Sequence, residues 1–181
     1  MWKTNVFAYV QAGGLIVSNN HNIGIGIPLR SAAEQDGGLA KYGTGTLTVS
    51  NTNTYNGATR LGGGTLAFTH AEGYPGGDLE IAAAAVQGQT LAAPLLTADT
   101  LAFAEGKGVR VTEADTLDDK TYGRMKTVAT FTTPLAALPP LTLVNTDGTE
   151  WTSSKQWCLQ LADGGKTLKF GALSGTQILL K

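Results

Sequence analysis

The 181-residue chain has one cysteine, Cys158. That excludes an internal disulfide and any zinc site built on several thiolates. Charge is also scarce, at 15 % of residues, and 13 Lys and Arg nearly balance 14 Asp and Glu for a net charge of −1. A nucleic-acid partner would require a basic face, so none is expected. Long apolar runs are missing as well: no stretch approaches the roughly 18 residues that a membrane-spanning helix needs. The two histidines, His21 and His70, each sit in a polar turn with no second ligand at metal spacing. What the chain has in quantity is glycine, 24 residues, with abundant threonine and 42 % hydrophobic residues. That is enough apolar material for a core, and the polar remainder suits stacked strands and tight turns.

The glycines are ordered. Residues 39–57 (LAKYGTGTLTVSNTNTYNG) and 58–76 (ATRLGGGTLAFTHAEGYPG) align without a gap at an offset of 19. Gly43/Gly62, Gly45/Gly64, Thr46/Thr65, Leu47/Leu66, Tyr55/Tyr74 and Gly57/Gly76 are identical, and Lys41/Arg60, Val49/Phe68 and Ser50/Thr69 are alike in kind. These twelve identical residues define the repeat. A period near 20 with strand-like runs between glycine turns is the signature of a β-solenoid, each repeat one coil. Thr46, Thr48 and Ser50 alternate with Leu47 and Val49, so the apolar set faces inward and the polar set outward. The offset predicts Leu47 stacked on Leu66, Val49 on Phe68, and Tyr55 beside Tyr74 with its hydroxyl at the surface. Lys41 and Arg60 are expected as neighbours on a solvated outer face.

Upstream, Val6–Gln11 and Leu15–Val17 read as strands, and Ile23-Gly-Ile-Gly-Ile27 alternates with its isoleucines toward the core. The segment around Leu15 reads as strand and not as a signal peptide, because Gln11, Gly13 and Gly14 interrupt its apolar run. Downstream, the 19-residue phase is lost after Gly76. Residues 1–81 are therefore expected to be coils, and residues 82–181 an irregular β region capping them. Within it, Ala82–Val86 reads as loop or short strand because of flanking glycines and Pro94. Leu101–Phe103, Val109–Val111, Arg124–Phe131, Leu141–Val144, Gln156–Leu161, Thr167–Phe170 and Ile178–Leu180 read as strands, with ADGGK (162–166) a hairpin turn. The fold class expected is all-β: a right-handed parallel β-helix with an irregular β cap.

The ordered run Gly37, Gly38, Leu39, Lys41, Gly43, Gly45, Thr46, Leu47, Val49, Ser50, Asn53, Thr54, Tyr55, Gly57, Thr59, then Gly64, Thr65, Leu66 resembles the autotransporter-associated β-strand repeat of large secreted bacterial surface proteins. Asn51, Arg60 and Leu61 depart from the pattern. The resemblance implies a right-handed parallel β-helix in an exported, non-enzymatic passenger or stalk, extracellular or at the cell surface, serving adhesion or display. It implies partners such as a surface glycan or host ligand, neighbouring coils of a longer chain, or further copies of itself. The end TQILLK does not resemble that of an outer-membrane barrel.

No catalytic, cofactor-binding or metal-binding residue is expected. Glycines 62–64 are not followed by the Lys-Ser/Thr of a phosphate loop, and Gly24-x-Gly26 fails the dinucleotide pattern. Asp115, Asp118 and Asp119, before Lys120 and Arg124, invite comparison with the calcium sites of polysaccharide lyases, but lack calcium-loop spacing and read as a solvated turn. Trp2, Trp151, Trp157 and Tyr74 could form a glycan-stacking platform; packing is the simpler reading. Cys158 reads as a small buried hydrophobe.

Overall fold

The computed structural model describes residues 6–88, 93–117, 125–152 and 156–172. The expected features on Trp2, Asp118, Asp119, Lys120, Arg124 and Ile178–Leu180 lie outside the described residues. The chain is mostly β, in parallel sheets. In order the strands are β1 (Ala8–Val10), β2 (Leu15–Ser18), β3 (Ile23–Ile25), β4 (Leu29–Ser31), β5 (Leu39–Tyr42), β6 (Thr46–Val49), β7 (Thr59–Leu61), β8 (Thr65–Phe68) and β9 (Leu79–Ala82). One helix follows, α1 (Ala83–Gly88), and then β10 (Leu96–Ala98), β11 (Val109–Thr112), β12 (Lys126–Phe131), β13 (Leu141–Leu143), β14 (Trp157–Ala162) and β15 (Thr167–Ala172).

The chain alternates between sheets and advances one strand at each visit. A six-stranded sheet has the order β13-β11-β9-β7-β5-β2, and a seven-stranded sheet β14-β15-β12-β10-β8-β6-β3. A third, short face is made by β1 and β4, continued by a parallel bridge from Arg30 to Thr54. Every pairing in the six-stranded sheet is parallel. The seven-stranded sheet is parallel from β3 to β12 and ends in the antiparallel hairpin β14–β15, turned at Asp163–Gly165 within the expected ADGGK.

Strand alternation builds the core. In β6 and β8, Leu47, Val49, Leu66 and Phe68 are buried while Thr46, Thr48, Thr65 and Ala67 are partly exposed. Parallel pairing sets Leu47 against Leu66 and Val49 against Phe68, as the repeat predicts. The columns continue: Leu66 pairs with Leu96 and Phe68 with Ala98. In the six-stranded sheet, Leu61, Ile81 and Val111 form one column and Leu79 and Val109 another. Each buried aliphatic in these columns contributes roughly 1.5–3 kcal/mol by leaving water.

The structure departs from the sequence reading in several places. Regular pairing runs well past residue 81, through β13, because inward alternation persists after the 19-residue phase is lost. The lost phase reflects insertions between a strand of the six-stranded sheet and the next strand of the seven-stranded sheet. This connection is only residues 43–45 and 62–64 in the repeat, but grows to 83–95 and then 113–125. The first insertion holds α1, where a loop or strand was expected. Ala83, Ala85 and Val86 bury one side of it, which lets alanine's helix propensity prevail over the nearby glycines. Leu101–Phe103 forms no strand; Leu101 is buried as part of a connecting segment. Ile23 is 44 % exposed although it pairs with buried Leu47, because β3 stands at the end of its sheet.

Candidate functional site

The repeat does not stack at one offset. β6 and β8 pair 19 residues apart, Leu47 with Leu66, but β5 and β7 pair 20 apart, Leu39 with Thr59. The difference of one residue is taken up at Thr44. Tyr42 lies over Gly62 and Gly43 under Gly63, whereas Gly45 lies against Gly64. The identical pair Gly43/Gly62 is therefore out of register, while Gly45/Gly64 and Thr46/Thr65 are in register. At the opposite corner the same thing happens: Gly57 lies against Gly77, not Gly76. Gly76, at φ +89, instead approaches Ala102 and Ala104.

This shift relocates Lys41. It pairs with Leu61 and not with Arg60, and it is fully buried in a column otherwise made of Val17, Leu61, Ile81 and Val111. The expectation of a solvated Lys41 beside Arg60 is thus corrected. The stem fills the aliphatic column while Nζ donates to the carbonyls of Tyr42 (2.6 Å), Gly43 (3.1 Å) and Gly63 (3.2 Å). Burial pushes the ammonium below the usual lysine range. Lys126, buried under the first insertion, repeats the device by donating to the last carbonyls of α1, Val86 at 2.7 Å and Gln87 at 2.8 Å.

Polar groups at the other corner are equally engaged. Tyr55 is buried and its hydroxyl meets Thr59 Oγ1 at 2.6 Å inside the core, so the expected surface hydroxyl is also corrected. Thr59 occupies a position where the column otherwise has Leu39, Leu79 and Val109, and Tyr55 supplies its partner. Burial raises both tyrosine pKa values, and for Tyr74 the neighbouring Tyr55 and Asp78 push the same way. Tyr74 packs edge-on to Phe68 and Phe103 at 6.0 and 5.7 Å, and its hydroxyl donates to the Gly77 carbonyl. Asp36 accepts from the amides of Gly38 (2.7 Å), Gly57 (2.8 Å) and Asn56 (2.8 Å). Burial would raise this carboxyl, but the Asn56 amide, the Ser31 hydroxyl and the Gly38 and Gly57 amides outweigh it and hold the pKa below the ordinary value. Asn53 ties three segments, accepting from Leu29 N–H and donating to the carbonyls of Asn51 and Gly73.

The remaining candidates are scattered. Trp151 and Trp157 lie 6.1 Å apart, and Trp157 stacks on Phe170 at 5.3 Å. Tyr74 belongs to a separate aromatic group with Phe68 and Phe103, so it does not join Trp151 and Trp157 in one platform. His70 Nδ1 accepts from the Glu72 amide, and Asp115 accepts from the Thr146 amide and hydroxyl. Among the described residues no three His, Cys, Asp or Glu side chains gather to hold a metal. Cys158 is half-buried opposite Gly171, and burial raises its thiol pKa. Among the described residues no helix is long and apolar enough to cross a membrane.

One concave surface lies on the outer face of the six-stranded sheet, lined by strand residues and by the loop after β13. It is a groove of about 580 Å³. Its floor is Gly62 and Ala82, and its sides carry Tyr42, Arg60, Glu80, Glu113, Asn145 and Thr146. Arg60 Nε donates to Glu80 at 2.7 Å, and Arg110 Nε lies 3.8 Å from the other oxygen of Glu80. Parallel pairing puts Ala40, Arg60, Glu80, Arg110 and Thr142 in one outward row, an alternation of charge across neighbouring strands. Reading the sequence at a fixed offset of 19 hid this row, because the partner of Arg60 sits at +20. Chemically the groove offers an aromatic ring and donors and acceptors in fixed positions, with one cation, Arg60, against two carboxylates, Glu80 and Glu113. Comparison with family models, with curated proteins and with solved structures returned no match.

Proposed function

We propose that the chain is a structural segment, a right-handed parallel β-helix that serves as stalk or scaffold of a secreted or cell-surface bacterial protein and catalyses no reaction. One observation carries the reading: successive visits to each sheet add one parallel strand, with Leu47 on Leu66 and Val49 on Phe68 in register. Stacked circuits of this kind contact only their neighbours, which suits a spacer whose length is set by repeat number. The right hand follows from the strong preference of parallel crossovers. Residues 1–81 supply the short circuits and residues 82–181 the elaborated end. The buried polar groups support the same reading: Lys41, Asp36, Asn53 and Tyr55 are spent on internal partners, and the resemblance to autotransporter-associated repeats agrees with it.

The test is cellular and physical. Intact cells of the source bacterium, probed with antibody to the chain, are expected to label at the surface, and small-angle X-ray scattering of the purified chain is expected to give a rod-like profile. Labelling only after lysis, or a globular profile, would sink the proposal.

A further inference from the structure

We infer that the outer groove of the six-stranded sheet is a binding site for a neutral oligosaccharide. The inference stands apart from the stalk reading, since it concerns one face and not the role of the stack.

The first argument is shape. The groove runs from Tyr42 on β5 across β7, β9 and β11 to Asn145 and Thr146 just beyond β13. Four strand spacings make that about 19 Å. An extended chain fits such a trough better than a compact metabolite.

The second is the ring of Tyr42. A Cβ on Gly62 would fall 2.1 Å from Tyr42 Cε1 and 2.2 Å from Cδ1, so the ring lies across residue 62 with no side chain beneath it. Tyr42 is nevertheless 37 % exposed. An aromatic ring held flat on a sheet and open to water is matched by a ligand with an apolar face and polar edges. A pyranose has both: its axial C–H groups stack on the ring while its equatorial hydroxyls point sideways.

The third is the polar flank. Arg60 and Glu80 hold one another in place, so little side-chain freedom is lost when a hydroxyl binds them. The unused guanidinium N–H groups donate and the carboxylate oxygens accept, a combination that suits vicinal hydroxyls. Thr112, Asn145 and Thr146 extend the same capacity along the groove.

The fourth is charge. Arg60 is neutralised by Glu80, and the other charged side chain lining the groove is Glu113, a carboxylate. An acidic sugar or phosphorylated ligand would meet no cationic excess, so the ligand is neutral.

The test is isothermal titration calorimetry of the full chain with cellohexaose, xylohexaose and mannohexaose, and with hexagalacturonate as the acidic comparison. At least one neutral hexamer is expected to bind, with affinity unchanged between 50 and about 500 mM NaCl, as an uncharged ligand requires. Tyr42→Ala should weaken binding about tenfold or more, whereas Tyr42→Phe should stay near the parent and Tyr9→Ala, an exposed tyrosine off the groove, should change nothing. Ala82→Trp, which fills the outward floor, should abolish binding while leaving the thermal melt in place, and serves if Tyr42→Ala does not fold. No binding by any neutral hexamer, salt-sensitive binding of hexagalacturonate alone, or binding that survives Ala82→Trp in a folded protein would each overturn the inference. All three would leave surface labelling and the rod-like profile untouched, so failure here is distinguishable from failure of the stalk reading.

Discussion

Asp36 shows how much a single corner side chain can carry. Its two oxygens meet three backbone N–H groups from two segments about 20 residues apart, at Gly38 and at Asn56-Gly57, and the Asp36 amide donates in return to Asn56 Oδ1 at 2.8 Å. Asp36→Asn would set an amide N–H₂ against backbone N–H donors. We expect it to cost about 1.5–3 kcal/mol, the usual worth of a hydrogen bond to a charged group, read as a lower urea midpoint at pH 7. The pH dependence has a fixed sign. The folded carboxyl titrates below its unfolded value, so its stabilisation is complete above the unfolded pKa of about 3.9 and is lost as pH falls through the depressed native value. The parent should lose this increment in that acidic window, and Asp36→Asn should lack it; equal acid sensitivity of the two would refute the role. Lys41 makes a related point about legibility. Its type and place in the repeat matched Arg60, and a lysine on what reads as the outer face of a strand is expected at the surface. Only the carbonyl-lined corner formed by Tyr42, Gly43 and Gly63 makes its burial tolerable.

Among elements, strands and turns respond differently to change. Leu47 is fully buried between Ile23 and Leu66, and Leu47→Ala should cost about 2–5 kcal/mol through lost transfer and a residual cavity. Thr48→Ala, on the outward side of the same strand, should stay within about 0.5 kcal/mol. Similar losses for the two in chemical denaturation would mean that β6 does not present Leu47 inward. The turns supply the complementary contrast. Gly38 has φ +73, and a Cβ there would meet the Ala58 carbonyl oxygen just before β7 at 1.9 Å. Gly38→Ala therefore adds roughly 1–2 kcal/mol of left-handed strain to a backbone clash. Gly24 lies in β3 with its nearest atom at 3.8 Å, so Gly24→Ala should be neutral or stabilise by up to about 1 kcal/mol. Thermal melts that rank these two the other way would contradict the stacking of Gly38 on Ala58.

At the scale of the molecule, the two long sheets end unequally. The antiparallel hairpin β14–β15 closes one end of the seven-stranded sheet, while among the described residues β2 and β3 stand as edges at the opposite end of each sheet. Ile16 on β2 and Ile23 on β3 are 66 % and 44 % exposed. Unpaired edges with apolar side chains recruit further strands. The isolated chain is expected to self-associate in sedimentation velocity in a concentration-dependent way, and Ile16→Lys to shift it toward monomer. A monodisperse parent across a wide concentration range would argue that this end is not adhesive.

The sequence by itself determined the periodic parts. Alternation in Thr46–Val49 and Thr65–Phe68 specifies which side chains enter the core, since strand geometry sends neighbours to opposite faces. Identity at an offset of 19 specified that Leu47 meets Leu66. Strand alternation beyond residue 81 was legible for β11, β12, β14 and β15, because each keeps its own inward pattern. Tertiary structure decided what period alone cannot encode. One extra residue at Thr44 changes the register of one sheet but not of the other; that step buries Lys41 and lays Tyr42 over Gly62, and a second step at the opposite corner, where Gly57 meets Gly77, puts Arg60 beside Glu80. A gapless repeat alignment averages over such steps, whereas hydrogen bonding between strands is set locally at each rung, so the groove existed only once every rung had found its own register.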